Sequence, residues 1–341
     1  MDHVVIRVRL ARTSTTFARL CRAVVLTGAR RDSFATYSGR SRLLAPASLV
    51  VAVLLSSLLS ARQQPASDAG DLVEVDAVVV DDKGQPVHGL QQTDFSIRED
   101  GKPVTITTFT EVTPPLRDDP DFARTVVLLL DDTGVAPVGT QTVQTIARAF
   151  VSSARETDEL PVVRLHVRSD EAFGDRATGE SRIAGYRGGA WPLAPWSIIG
   201  DVLQRVGEIS QMVSSNPSRR KVIVCVGSSY VCNVTEPDPS APRSFEATWA
   251  FALSEAAKSN VSVYALIPGR APLGGGGMPE MTGGEVFASS YDVGPPIDRI
   301  LRDAANYYVL GYWPVRASRS LHRVEVKVAR RGARVHARRL R

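Results

Sequence analysis

The sequence contains few of the residues and motifs from which catalytic and metal centres are built. Its 341 residues include three cysteines and five histidines, and none of these shows the spacing of a metal site. The glycine run at residues 274–277 is not followed by the Lys-Ser/Thr pair of a phosphate-binding loop. These absences argue against a zinc protein and against a nucleotide-binding loop.

A nucleophile elbow is also missing, which bears on hydrolase activity. Ser228 and Ser229 follow an apolar strand, but residues 226–230 lack the second glycine of the Gly-x-Ser-x-Gly pattern. None of the histidines lies in a recognisable base motif. His166 lies within the alternating pattern of a predicted strand and is interpreted as a packed core residue. We therefore expect no enzymatic activity, and an envelope hydrolase that uses Ser228 or Ser229 is the remote alternative.

Net positive charge is confined to the two ends of the chain, and the middle has a net negative charge. The net charge is +5, yet residues 63–314 carry 21 basic and 33 acidic side chains. A protein that binds nucleic acid through a uniformly basic surface is therefore not expected. The basic tail, residues 330–341, contains six arginines: Arg330, Arg331, Arg334, Arg338, Arg339 and Arg341. They are interpreted as the solvated end of a strand pair, with contact to anionic envelope lipid or polysaccharide, or docking on the acidic body, as alternatives.

The N-terminal 62 residues predict export or anchoring. Residues 43–61 form an uncharged apolar run that follows Arg40 and Arg42 and ends in small residues, which is the layout of a secretory signal. Cleavage near Ala61 is one interpretation. An uncleaved N-terminal membrane anchor is another, because the apolar length approaches the ~18 residues that span a bilayer, and a buried core helix is the third. The sequence thus predicts a protein that is secreted or that lies in the periplasm or cell envelope.

Beyond a polar linker, the hydrophobic pattern changes its character along the chain. Residues 72–112 alternate as short strands and predict a small β module with a tight hairpin at Asp100-Gly101. Residues 124–305 alternate strands and helices, which indicates right-handed βαβ units around a covered parallel sheet. Residues 306–341 return to strands, and the last two are expected to pair as an antiparallel hairpin that helps to complete the β module. The expected fold class is α/β, with a doubly wound, mainly parallel sheet and an accessory β module formed by the flanking segments.

The segment that says most about a site is the apolar run at residues 125–130. It is followed at once by Asp131, Asp132 and Thr133. A run of this kind suits a central parallel strand, and ligand sites in open α/β sheets lie beyond the carboxyl ends of such strands. We therefore expect the functional site at this edge of the sheet.

Several segments together resemble the von Willebrand factor type A-related proteins secreted by bacteria, especially the acidobacterial group. The resemblance covers about residues 72–341, and its carriers are residues 79–87, 94–103, 131–133, 260–266, 282–284 and 307–312. It implies a doubly wound A-type domain between β segments, and a role in adhesion or as a scaffold.

The resemblance also implies where a divalent cation would bind. The family pattern needs Asp-x-Ser-x-Ser on a first loop, a Thr on a second loop and an Asp after a later strand. Asp131 and Thr133 match the first two places. Val135, Ala190 and Val226 stand where the second hydroxyl, the Thr and the later Asp are needed. One carboxylate and one hydroxyl make a poor Mg²⁺ site, and so we expect a vestigial metal site and no cofactor.

Two other interpretations of this loop remain open. In the first, Asp131 and Thr133 cap the following helix or bind loop amides. In the second, Asp132, Ser228 and Ser229 substitute as ligands, and the protein is an Mg²⁺- or Mn²⁺-dependent adhesion module.

Two tryptophans predict a surface for a partner. Trp191 and Trp196 lie in a Pro/Gly-rich loop near the expected sheet edge, where they either anchor a protein partner or cover the core. Together with Asp132 and Ser228, they are the candidate partner-binding residues. The leading hypothesis is a secreted or envelope-associated, non-enzymatic interaction protein whose partner is an unknown protein or envelope component.

Overall fold

The computed structural model describes nine segments of the chain, all within one compact unit. They are residues 71–113, 124–167, 174–189, 195–215, 220–227, 242–269, 277–289, 292–316 and 320–341. The predicted signal or anchor segment at residues 43–61 lies outside the described residues. None of the helices in the described segments is long and apolar enough to cross a membrane.

The described residues form twelve strands and six helices, besides short 3₁₀ turns. The strands are β1 (Val73–Val80), β2 (Phe95–Glu99), β3 (Lys102–Val104), β4 (Ile106–Val112), β5 (Arg124–Leu130), β6 (Val162–Arg164), β7 (Arg220–Val226), β8 (Val261–Pro268), β9 (Val286–Ser289), β10 (Tyr307–Tyr312), β11 (Val324–Val328) and β12 (Arg334–Ala337). The helices are α1 (Thr140–Ser153), α2 (Arg176–Gly185), α3 (Pro195–Ser214), α4 (Arg243–Lys258), α5 (Met278–Thr282) and α6 (Gly294–Asp303).

Five strands form a parallel sheet in the order β6-β5-β7-β8-β9. The central strands β5 and β7 carry apolar residues on both faces, because helices cover the sheet on both sides. One buried cluster lies under α3 and α4, and a second lies under α1, α2 and α6. The expected α/β class with a covered parallel sheet is therefore confirmed.

The flanking segments interleave in two antiparallel sheets, of order β12-β1-β10-β4 and β11-β2-β3. Strand β10 pairs with both β1 and β4, so residues from the two ends of the described chain share one core. The hairpin predicted at Asp100-Gly101 joins β2 to β3, and both residues have the positive φ that a tight hairpin turn requires.

The predicted hairpin between the last two strands is wrong. Strand β11 pairs with β2, whereas β12 pairs with β1 in the other sheet. The turn at residues 330–333 is present, but Val324 and Val326 on one side of it and Val335 on the other pack from separate sheets into a shared core. An alternating pattern shows which face of a strand is buried, but it does not identify the partner strand.

Two helices were not predicted, and one predicted strand is divided. Helix α2 buries Gly179 and Ile183 and has little amphipathic signal, while Asp175 caps it by accepting a hydrogen bond from Thr178 N at 2.8 Å. Helix α5 is only five residues long. The strand predicted from Val104 is interrupted at Thr105, which separates β3 from β4.

A buried ion pair connects the parallel sheet to the antiparallel sheet that contains β1. Arg220, at the start of β7, donates from Nη1 to Asp76 Oδ2 of β1 at 3.1 Å, and both side chains are almost wholly buried. Asn260 Nδ2 donates to the same oxygen at 3.1 Å, and the guanidinium lies 5.1 Å from the centre of the Tyr307 ring. Removing one member would leave a buried charge without its counterion, which is why such pairs hold neighbouring elements in one arrangement.

Candidate functional site at the carboxyl edge of the parallel sheet

The order of the strands reverses at the carboxyl ends of β5 and β7. From β5 the chain passes to β6 on one side, and it then returns to β7 on the other side. Leu130 and Val226 are register partners in β5 and β7, so Asp131 and Gly227 follow them as neighbours. Open α/β sheets hold their ligands at such a reversal point. The structure thus places Asp131 at the position where a site is expected.

The carboxylate of Asp131 is engaged by its own loop. The residue is 1% exposed, and Oδ1 accepts hydrogen bonds from Thr133 N at 2.9 Å, Thr133 Oγ1 at 2.9 Å and Gly134 N at 2.8 Å. Thr133 is wholly buried and uses its hydroxyl hydrogen in this contact. These contacts agree with the loop-amide interpretation of the two residues.

The surroundings of Asp131 fit a divalent cation poorly. A Cβ atom added at Gly227 would lie 2.3 Å from Asp131 Cβ, so the chain after β7 packs directly on this side chain. Val135 and Val226, which stand at places of the family's ligands, belong to a buried apolar cluster. Mg²⁺ requires several oxygen ligands in octahedral geometry, and the described donors at this edge do not supply them.

Asp132 connects two neighbouring loops. Its Oδ1 accepts a hydrogen bond from His166 N at 3.0 Å, and its carbonyl oxygen accepts one from Gly189 N at 3.0 Å. Burial raises the pKa of its carboxyl group above the usual range. Asp132 therefore positions the chain beyond β6 and the loop beyond α2 against the end of β5.

Tyr186 is a component of this edge that sequence reasoning missed. Its side chain is wholly buried, and its hydroxyl donates to the carbonyl oxygen of Asp131 at 2.6 Å. Burial raises the pKa of the phenol, which therefore stays protonated and continues to donate. The next loop approaches closely, because a Cβ atom at Gly188 would lie 2.7 Å from the carbonyl oxygens of Val135 and Ala136. No sequence pattern shows that this loop returns to β5.

The interpretation of His166 as a packed core residue is wrong. Strand β6 ends at Arg164, and His166 lies in the loop beyond it with a side chain that is 31% exposed. Its Nε2 atom lies 3.8 Å from Asp201 Oδ2 on α3. The strand is shorter than its alternating pattern indicates, and this difference moves His166 to the sheet edge.

The structure describes two of the four candidate partner-binding residues, and these two lie in different surroundings. Trp196 lies in the first turn of α3, is partly buried against the core and meets Phe245 of α4 edge-to-face at 5.0 Å between ring centres. Asp132 lies at the sheet edge as described above. Trp191 and Ser228, like Ser229, lie outside the described residues.

A second cluster of titratable groups lies in the β module. Glu99, Asp100 and His322 are the one group of three potential metal ligands in the part of the chain that the structure describes. His322 Nδ1 lies 2.7 Å from Asp100 Oδ2, and this hydrogen bond lowers the pKa of Asp100. Arg341 Nε donates to Glu99 at 3.0 Å, so a cation from the protein itself already balances the charge of Glu99.

The same cluster includes a row of serine, histidine and aspartate. Ser320 Oγ lies 3.4 Å from His322 Nε2, in the order of a nucleophile relay. However, Ser320 is exposed and the side chain of Asp100 is 51% exposed, so water competes for both ends of the row. The geometry favours a structural role, in which these side chains and Arg341 connect the last residues to the β2–β3 turn.

The basic tail divides into a docked part and an exposed part. Arg338 Nη1 donates to the carbonyl oxygen of Ala257 at 2.6 Å, and Arg339 pairs with Glu280 at 3.2 Å. Arg330, Arg331 and Arg334 are exposed around the turn between β11 and β12. Docking on the body therefore accounts for the end of the tail, and a solvated face accounts for its turn.

Comparisons with known proteins do not assign the chain to a family. No family model matches the chain, and no curated protein matches it. It is similar in structure to the N-terminal domain of TFIIH p34, with a TM-score of 0.31 and 9% identity over 53% of this chain and 97% of that chain. It is also similar to three N-terminal domains of the type V pili tip protein Mfa5 from Porphyromonas gingivalis, with a TM-score of 0.25 and 12% identity. That match covers 51% of this chain and 29% of the pilus protein's chain. Likenesses this weak define neither a family nor a function, and the class that the fold itself defines is an α/β protein with a parallel sheet and antiparallel accessory sheets.

Proposed function

We propose that this chain is a non-enzymatic interaction protein, secreted or associated with the cell envelope, and built on a von Willebrand factor type A-like domain with a degenerate metal site. The observation that carries the proposal is the engagement of Asp131, whose buried Oδ1 atom accepts three hydrogen bonds from donors in its own loop. An oxygen in this state holds a loop in shape and has little capacity for proton transfer or for a cation.

The order of elements supports the A-type assignment. The parallel sheet is doubly covered, and the loop with Asp131 and Thr133 follows a central strand, as the family pattern requires. The expected export of the protein rests on the signal-like segment at residues 43–61. The partner is proposed to bind at the carboxyl edge, where loops beyond β5, β6 and α2 meet.

A calorimetric titration with Mg²⁺ and Mn²⁺ tests the degenerate metal site. We expect the chain and its Asp131→Asn variant to give no binding tighter than about 1 mM, the weak end of the range for extracellular cation sites. Binding by the chain that disappears in the variant would instead favour the Mg²⁺- or Mn²⁺-dependent adhesion module through Asp131 and Thr133.

Site-specific crosslinking tests the interaction role. A photoreactive residue at Gly189, which is exposed beside Asp132, should crosslink one envelope protein with the same yield in Mg²⁺ and in EDTA. A photoreactive residue at Lys102 in the β module is the matched control and should not crosslink that protein. Crosslinking that needs Mg²⁺ would contradict the metal-independent role, and a specific turnover by the purified chain would overturn the non-enzymatic assignment.

A further inference from the structure

A recess lies between helices α3 and α4, beside the carboxyl edge of the sheet. Its volume is about 350 Å³, which is large enough for a long side chain or a small ligand. Its lining includes Trp196, Asp201, Gln204, Ser244, Phe245 and Thr248. A smaller recess of about 70 Å³ adjoins it and shares Asp201 and Gln204. The two recesses therefore meet at the carboxylate of Asp201.

The polar side chains of the recess present hydrogen-bond acceptors. Gln204 donates from Nε2 to Glu208 Oε1 at 3.1 Å, which leaves its carbonyl oxygen as an acceptor. Thr248 uses its hydroxyl hydrogen to bond the carbonyl oxygen of Ser244 at 3.0 Å, so its oxygen also accepts. In the first turn of α4, Phe245 N donates to Pro242 O at 2.8 Å. A ligand rich in hydrogen-bond donors matches these acceptors.

The exposed charge of the recess is negative. The side chain of Asp201 is 47% exposed, and its Oδ2 atom is 3.8 Å from His166 Nε2. Arg205, which lines the smaller recess, is 2% exposed and pairs with Glu208 at 3.1 Å, so its charge is withdrawn from the surface. The charge that a ligand meets first is therefore the carboxylate of Asp201, which attracts a cation.

The wall of the recess is aromatic. Trp196 meets Phe245 edge-to-face, and Phe245 in turn lies 6.3 Å from Trp249, nearly parallel to it. A row of packed rings holds the indole in one orientation. Tryptophan is the side chain that attracts cations most strongly to its face, and planar guanidinium groups stack on it.

We propose that this recess binds an arginine side chain of a protein partner. A guanidinium carries five donors and a permanent positive charge, and its flat faces stack on aromatic rings, so it matches the acceptors, the carboxylate and the tryptophan together. A lysine ammonium supplies three donors on a compact, strongly hydrated charge and matches fewer of these features. The inference rests on the proposed interaction role only for the source of the arginine.

The test is a titration of the full chain with a capped Gly-Gly-Arg-Gly-Gly peptide, observed by tryptophan fluorescence and by calorimetry. The matched probe is the same peptide with citrulline, which keeps the shape of arginine and lacks its charge. We expect the arginine peptide to bind at least about tenfold more tightly than the citrulline peptide, and Asp201→Asn to weaken arginine binding by about tenfold, because charge-assisted hydrogen bonds are the stronger ones.

A control variant separates the recess from general surface charge. Glu246→Gln makes the same change of charge on an exposed position of α4 that does not line the recess, and it should leave the affinity unchanged. Equal binding of the two peptides would overturn the proposal. Unaltered binding by Asp201→Asn, or no binding up to roughly 10 mM peptide, would overturn it too.

The result is distinguishable from a failure of the proposed function. If the recess does not bind arginine but the photoreactive residue at Gly189 still crosslinks one partner, only the assignment of the recess is wrong. If the peptide binds and no partner crosslinks, the recess is supported and the interaction role at the sheet edge is contradicted.

Discussion

The carboxylates of Asp131 and Asp201 both lie near the carboxyl edge of the parallel sheet, in opposite surroundings. Asp131 is 1% exposed, and one of its oxygens accepts three hydrogen bonds from its own loop. The side chain of Asp201 is 47% exposed, and its Oδ2 atom lies 3.8 Å from His166 Nε2. The difference teaches that the donors supplied by the local backbone, rather than the position along the sheet, decide whether a carboxylate remains available for a ligand.

The sharpest way to break this comparison is to remove Asp131. We expect Asp131→Ala to lower the free energy of unfolding by about 4 kcal/mol, because Thr133 N, Thr133 Oγ1 and Gly134 N would lose their acceptor in a buried loop. Urea unfolding of the variant against the unchanged chain measures the effect. A loss below about 1 kcal/mol would show that water replaces the carboxylate and that the loop does not depend on it.

Asp303 extends the comparison to a buried carboxylate that is held by an ion pair. It is 1% exposed and accepts from Arg299 Nε at 2.9 Å, yet burial raises its pKa to about 6. The folded state then binds this proton more tightly than the unfolded state does, so the free energy of unfolding falls as pH rises from about 4 to about 6.

Asp303→Asn should remove this pH-dependent contribution to the free energy of unfolding. The difference in unfolding free energy between the variant and the unchanged chain should vary by about 2 kcal/mol between pH 4 and pH 6 and should be constant above pH 7. Urea unfolding at a series of pH values provides the measurement. A difference that is constant over the whole series would mean that Arg299 keeps the carboxylate charged throughout.

Gly227 tests how closely Asp131 is enclosed. We expect Gly227→Ala to destabilise the chain by about 1.5 kcal/mol, because the new Cβ would lie 2.3 Å from Asp131 Cβ and the backbone would have to move. Gly200→Ala in α3 is the matched control, because a Cβ there meets no atom within 4 Å. The control should be neutral or stabilising by up to about 1 kcal/mol, since alanine favours helix. Thermal unfolding of both variants provides the measurement. Similar unfolding midpoints for the two variants would mean that the chain at Gly227 does not pack tightly on Asp131.

The smallest effect is expected at Asp201. Asp201→Asn should change the free energy of unfolding by less than about 0.5 kcal/mol, because a half-exposed carboxylate with one distant partner contributes little to stability. Its effect should fall on peptide binding alone. A destabilisation similar to that of Asp131→Ala would contradict the distinction between the two carboxylates.

Periodicity predicted most of the elements because burial imposes it locally. The apolar run of β5 and the helical spacing of Val143, Ile146 and Phe150 in α1 are visible in the sequence and are present in the structure. Helix α2 was missed because its one large buried side chain is Ile183, which leaves no amphipathic pattern to read.

The position of Asp131 at the end of a strand was predicted from the sequence, but its contacts were not. The carboxyl end of β5 could be located because a strand that ends in Asp131, Asp132 and Thr133 shows where the sheet has an edge. Tyr186 and the true position of His166 could not be found, because both depend on loops that return to β5 from other elements.

The sequence by itself determined the class of the fold, the order of most of its elements and the edge at which Asp131 lies, because each of these follows from local hydrophobic pattern and turn chemistry. Only the tertiary structure decided that β11 and β12 belong to different sheets, that Asp131 is enclosed by Gly227, and that α3 and α4 present Asp201 beside Trp196. These features arise from contacts between residues far apart in the chain, whose free energies depend on packing and are not written in any local window.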